Sequence, residues 1–134
     1  MVFGTFDMVH QGHVNLFNQA RKLVKNPFLI VSVARDKNVL KIKGHLPRNS
    51  QQARKLIVAQ NPLVDKVVIG GSSDHLPHII KERPDIIALG YDQVAYVRGL
   101  RSRLKESGLK TKIVRLKPYK PRVYKTTLLQ NKTS

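Results

Sequence analysis

The feature that most constrains this chain is alternation. Short runs rich in Val, Ile and Leu are separated by stretches whose apolar residues recur at helical spacing, and the pattern repeats about four times along 134 residues. Val2 and Phe3 make a very short first strand. Leu16, Phe17, Ala20, Leu23 and Val24 share one helical face until Asn26 and Pro27 stop the helix. Residues 28–34 have the length and composition of a strand buried on both faces. A polar, basic loop follows, and Ser50 then caps a helix carrying Ala53, Leu56, Ile57 and Val58, ended by Asn61 and Pro62. Residues 67–69 form a third strand, and Asp74 caps a short helix over 75–82. After Pro84 come a fourth strand at 86–89, a helix over 94–107 closed by Gly108, a fifth strand at 113–116 and a last helical turn at 126–131.

Strand, helix, strand in repetition specifies a parallel sheet with right-handed crossovers and helices on both faces. The fold class expected is therefore α/β, a doubly wound five-stranded parallel sheet in three α/β/α layers. The length fits a single domain over 1–134, with the basic segment 108–134 part of it. In such folds ligands sit beyond the carboxyl ends of the strands, where the winding reverses, so the loops after the first and fourth strands come first.

Composition narrows the chemistry. The absence of Cys excludes a disulfide framework and every thiolate nucleophile or metal ligand. Lys and Arg number 25 against 8 Asp and Glu, a formal charge of +17 that favours anionic partners without choosing among nucleic acid, membrane and small polyphosphate. Residues 108–134 hold eight basic residues and no acidic one, although such a run is commonly just a solvated face. Aromatic content of 6% is thin for a base-stacking surface, so nucleic acid is not the expected partner. No stretch approaches the roughly 18 apolar residues of a membrane span, and the chain start lacks the pattern of a leader. A cytoplasmic protein without a membrane partner is expected.

The loop behind the first strand reads Gly4-Thr5-Phe6-Asp7-Met8-Val9-His10-Gln11-Gly12-His13, and a helix begins there. Two imidazoles and two glycines thus meet at a helix N-terminus, where outward N–H groups and the helix dipole stabilise a phosphate. Gly12 permits close backbone approach. Zinc would need further ligands, and His45, His75 and His78 stand in no recognisable ligand spacing. No Walker-type loop and no G-x-G-x-x-G after a strand occurs, which removes ATPase motors and dinucleotide dehydrogenases.

These residues resemble the H-x-G-H nucleotidyltransferase superfamily with its Rossmann-like fold, in its cytidylyltransferase-like branch. The similarity continues through Arg35-Asp36, Lys41 and Lys43, Arg54, and Gly90-Tyr91-Asp92-Gln93, and within the branch it is greatest to archaeal-type FAD synthases. The resemblance implies in-line attack of a substrate phosphate on the α-phosphorus of a nucleoside triphosphate, with release of pyrophosphate. It assigns His10 and His13 to the triphosphate and its transition state, with Lys41 neutralising phosphate beside them. Gly4, Thr5, Phe6, Gln11 and Gly12 would cradle the nucleotide, and Asp92 would bind its ribose or base. Lys125-Thr126-Thr127 stands where the family carries a Ser-Ser-Thr-type triplet for the β and γ phosphates. Lys125 is a departure from that triplet, and the cysteines archaeal-type FAD synthases carry nearby are missing. Asp7, Lys43, Arg54 and Tyr119 fall near the acceptor, with Tyr91, Tyr96 and Tyr124 as further aromatic neighbours for a flavin. Asp7 would orient a donor, help hold Mg²⁺, or simply build the loop. No side-chain metal site is assigned, so Mg²⁺ would travel on the nucleotide.

The expected substrates are ATP and FMN, giving FAD, with a homodimer as the usual assembly of family members of this size. The nearest alternative is a cytidylyltransferase acting on glycerol 3-phosphate or a similar phosphorylated alcohol. From a different class, a catalytically idle basic module would bind nucleic acid through its tail.

Overall fold

Val2 and Phe3 are both buried although they point to opposite faces of a sheet, which puts their strand, β1 (Val2–Gly4), in the middle of the layers. This computed structural model describes residues 1–71, 74–91, 93 and 99–118. On one side of β1 lies β2 (Ile30–Val33) and beyond it β3 (Lys66–Ile69), all parallel, with Val2 opposite Val31 and Val31 opposite Val67. On the other side β4 (Ile86–Leu89) pairs in parallel with β5 (Lys112–Arg115). The two ladders meet at Met1, whose amine donates to the Ile86 carbonyl at 2.8 Å and whose carbonyl accepts from the Ala88 N–H at 3.0 Å. The five strands fall into a three-stranded sheet, β1-β2-β3, and a two-stranded one, β4-β5, and the Met1 bonds set β1 beside β4, so the winding reverses between those two.

The crossovers carry the helices expected of this order. β1 leads into α1 (Gln11–Arg21), and two helices, α2 (Asp36–Lys43) and α3 (Gln51–Ala59), join β2 to β3. α4 (Leu76–Glu82) and α5 (Leu100–Glu106) follow β3 and β4. Phe17 of α1 and Val58 of α3 pack with Val2, Val31 and Val33 on one face. Ile79 of α4 and Leu100 and Leu104 of α5 pack with Phe3, Ile87 and Leu89 on the other. Each fully buried side chain of this kind contributes on the order of 1.5–3 kcal/mol.

Several boundaries differ from the expectations. The basic loop before Ser50 contains α2, closed by Gly44 at φ 79, a helix that buries only Val39. α1 stops at Arg21, so Leu23 and Val24 lie beyond it and stay partly exposed. β2 is shorter than 28–34, and Phe28 is 64% exposed. The N-cap of α4 is His75, while Asp74 accepts from the Leu76 N–H at 3.1 Å and is gripped by Arg103 at 2.9 and 2.6 Å. α5 is described from Leu100 after Gly99 at φ 74, and Gly108 at φ 82 ends it as expected. Residues 94–98 and the turn at 126–131 lie outside the described residues. Among the described residues no helix is long and apolar enough to cross a membrane.

Candidate active site

The loop between β1 and α1 is built around a strained residue. Phe6 has φ 55, a left-handed conformation that costs a bulky residue on the order of 1–3 kcal/mol. Burial offsets that cost. The Phe6 ring is almost fully enclosed, 5.7 Å from the Phe17 ring and 4.9 Å from His13. A side chain on Gly4 would come within 2.7 Å of the Phe6 ring, so this position needs glycine.

Beneath the loop lies Arg54, at 0% exposure. Its guanidinium donates to the Thr5 carbonyl at 2.8 Å, the Asn49 carbonyl at 3.0 Å and the Asp36 carboxylate at 2.7 Å. Asp7 is buried as well, and its two oxygens accept from the Arg48 and Asn49 N–H groups at 2.7 and 2.8 Å. The Asn49 amide returns a bond to the Asp7 carbonyl at 2.8 Å. Arg54 and Asp7 therefore tie the start of the loop to the segment ahead of α3, and both charges are satisfied by the protein itself.

His10 and His13 sit on top of this base. His10 is the N-cap of α1, and its Nδ1 accepts from the Gly12 N–H at 3.0 Å. His13 lies one turn further, and its Nδ1 accepts from the His10 N–H at 3.3 Å, a reciprocal capping arrangement. The rings stack with centroids 3.9 Å apart and planes inclined by 20°. Because Nδ1 accepts in both rings, the proton of each neutral imidazole lies on Nε2, and in His13 the main chain of Met8 takes part in its hydrogen bonding. A side chain on Gly12 would meet His10 Cε1 at 2.8 Å, so the glycine between the histidines makes room for the capping imidazole.

The electrostatics keep His13 uncharged. Its pKa is pushed down to about 3, first by burial, then by the neighbouring His10 and by Lys43, against a hydrogen bond with the Met8 main chain. Lys43 is held below the ordinary lysine range, chiefly by loss of water around its ammonium, with the Arg54 cation acting in the same direction and Asp7 opposing. Lys41 is two residues earlier on α2. It lies roughly 200° around the helix from the buried Val39, whereas Lys43 lies about 40° from it. The structure thus brings Lys43 rather than Lys41 into the field of His13. No acidic residue occupies the first turn of α1, so nothing on the helix competes with an anion there.

Gln11 is exposed at the first position of α1. Asp92, Tyr119, Lys125, Thr126 and Thr127 lie outside the described residues, as do Tyr96 and Tyr124. Among the described residues no group of three or more His, Asp or Glu could hold a metal ion. The sequence reading gave no role to Gln93, which occupies the gap between the two ladders. Its Nε2 donates to the Phe3 carbonyl at 2.8 Å, and its Oε1 accepts from the Gly90 N–H at 2.8 Å. Arg115 fastens the same turn, donating to the Gly90 and Gln93 carbonyls at 2.8 and 2.6 Å.

A doubly wound fold with a stacked imidazole pair at a helix N-terminus beside its switch point matches the nucleotidyltransferase class that the H-x-G-H resemblance implies. The family model described as cytidylyltransferase-like matches residues 1–132, and the chain belongs to that family. A protein named FAD synthase in Korarchaeum cryptofilum is 44% identical over 117 residues, covering 87% of this chain and 79% of that one. Another so named in Ferroglobus placidus is 42% identical over 115 residues, covering 85% and 72%. Among solved structures, the lipopolysaccharide core biosynthesis protein from Thermoplasma volcanium superposes with a TM-score of 0.81 at 34% identity, covering 89% of this chain and 95% of that one.

Proposed function

We propose that this protein is an FMN adenylyltransferase, which transfers AMP from ATP to FMN and releases pyrophosphate, the reaction of an FAD synthase. The observation that carries the reading is the stacked His10–His13 pair held at the positive end of α1. A terminal, non-bridging phosphate oxygen of FMN attacks the α-phosphorus of ATP, a new P–O bond forms, and the bond from the α-phosphorus to the oxygen bridging it to the β-phosphate breaks, that oxygen leaving with the pyrophosphate. The second pKa of a phosphate monoester is near 6, so the nucleophile is already ionised at neutral pH and no general base is required. What the protein supplies is position and charge compensation.

His10 and His13 donate to the transferring phosphoryl group, while Lys43, with Lys41 further out, neutralises the leaving pyrophosphate. Gly4, Thr5 and Phe6 offer the nucleotide their main chain, and Gln11 and Gly12 the first turn of α1. The resemblance adds Asp92 for the nucleoside, Lys125, Thr126 and Thr127 for the outer phosphates, and Tyr119 for the acceptor. Arg54 acts on the acceptor side by holding the loop. A divalent cation, proposed as Mg²⁺, does not fit the described side chains: the Asp7 carboxylate is already committed to two main-chain N–H groups. It belongs to the triphosphate that carries it. A cytoplasmic homodimer is the form proposed.

Pyrophosphate release tests the reading. ATP with FMN should give pyrophosphate and FAD in equal amounts. Preference for CTP with glycerol 3-phosphate would replace it with the cytidylyltransferase reading. Release from no pairing, together with tight salt-resistant nucleic-acid binding, would replace it with the idle basic module.

A further inference from the structure

We infer that Gln93 is a positioning residue for the nucleoside triphosphate, its carboxamide wedging β1 and β4 apart at their carboxyl ends and so setting the width of the crevice between them. The inference rests on the nucleotidyltransferase reading and adds a residue that reading does not use.

The flanking pairs show what an unwedged rim looks like. Between β1 and β2 the ladder runs to its end, with the Ala34 N–H on the Gly4 carbonyl at 2.9 Å. Between β4 and β5 it does the same, with the Leu116 N–H on the Leu89 carbonyl at 2.8 Å. Between β1 and β4 the pairing starts normally, with the Ala88 N–H on the Met1 carbonyl at 3.0 Å. Further along, at the carboxyl ends, a parallel ladder would join the Gly90 N–H directly to the Phe3 carbonyl. Instead the Gln93 amide stands between them, accepting from one and donating to the other. A carboxamide has one donor end and one acceptor end, so it replaces a peptide unit and satisfies both strands while holding them apart.

The wedge is itself held. The Gln93 N–H donates to the Gly90 carbonyl at 3.1 Å, closing a tight turn, and Arg115 grips both carbonyls of that turn. The opening is therefore held by the protein's own bonds, at the place in a doubly wound sheet where the neighbouring loops diverge. The triphosphate site at α1 opens from the end of β1, on one lip of the gap. The Gly90–Gln93 turn is the other lip.

The test is calorimetric titration with MgATP and with FMN, alongside steady-state kinetics, on the unmodified chain, Gln93→Met, Gln93→Glu and Arg115→Gln. Gln93→Met keeps the length but loses both bonds, and the KM for ATP should rise tenfold or more, with the KM for FMN and kcat within threefold. Gln93→Glu should show the same loss at pH 8 and recover affinity toward pH 5.5, as the carboxyl gains a proton and again donates to the Phe3 carbonyl. Arg115→Gln, away from the core, should shift ATP in the same direction by a smaller factor, and it carries the test if Gln93→Met does not fold. Unchanged ATP binding in the variants, or equal losses for both substrates, would overturn the inference while leaving the proposed function intact. No ATP binding by the unmodified chain would overturn the function and the inference together.

Discussion

Replacing Gly12 with alanine separates catalysis from stability. The new Cβ would lie 2.8 Å from His10 Cε1 and 3.0 Å from Nδ1. Carbon contacts relax to roughly 3.5–4.0 Å, so the imidazole must retreat by about 0.7 Å or more. It cannot retreat freely, because the ring also stacks on His13 with centroids 3.9 Å apart. The retreat stretches the 3.0 Å bond from the Gly12 N–H toward the limit of a useful hydrogen bond. Losing a cap of this kind costs about 0.5–2 kcal/mol. Alanine in place of glycine within a helix returns up to about 1 kcal/mol. The two nearly cancel, and the melting temperature should move by no more than about 5 °C. Turnover should fall about 10²- to 10³-fold, the range for one misplaced preorganised donor. Pyrophosphate release and a thermal melt on the same preparation decide it. Turnover within twofold of the unmodified protein would refute the role given to His10, and a fall in melting temperature beyond 15 °C would show that Gly12 serves the fold instead.

Arg54→Lys should destabilise the protein by about 3 kcal/mol in urea unfolding, since an ammonium cannot replace a three-way guanidinium contact that is fully buried. Asp7→Asn should lower stability by about 1–3 kcal/mol through the Arg48 and Asn49 N–H groups, and raising Mg²⁺ should not rescue its turnover. Rescue would make Asp7 a cation ligand. The folded pKa of His13 lies near 3 against 6.5 when free, so unfolding takes up a proton between those values. Stability is therefore full above pH 6.5 and declines as pH falls toward 3, by up to about 1.4 kcal/mol per pH unit from this group alone. His13→Gln should flatten that slope in urea unfolding across pH 4–6.5.

The strands were legible in the sequence because they are short runs rich in Val, Ile and Leu, and the class followed from their alternation with helical patterns. α2 was not legible: a helix that buries only Val39 and exposes Leu40 and Ile42 has no apolar stripe to detect. The resemblance put Lys41 on the phosphate and Lys43 near the acceptor; the phase that distinguishes the two on α2 is set by Val39, which no apolar stripe in the sequence reveals. The loop motif pointed to the His10–His13 pair and to the need for Gly12, but not to stacking, which depends on two reciprocal caps closing at once. The bond from Arg54 to the Thr5 carbonyl and those from the Arg48 and Asn49 N–H groups to Asp7 join residues some 40 to 50 positions apart in sequence, and no local pattern reports them. Gln93 was hidden for a similar reason. Its partner Phe3 is 90 residues away, and only the strand order makes them neighbours.

The central claim is that the imidazole pair stabilises AMP transfer to FMN rather than merely holding nucleotide. Single-turnover formation of FAD by His13→Ala, with ATP affinity measured in parallel, tests it most directly. The Lys43 ammonium and the α1 N-terminus remain in this variant, so ATP affinity should change less than about fivefold while the rate of FAD formation falls about 10²- to 10³-fold. A variant that forms FAD at the unmodified rate, or whose whole loss lies in ATP affinity, would contradict the account.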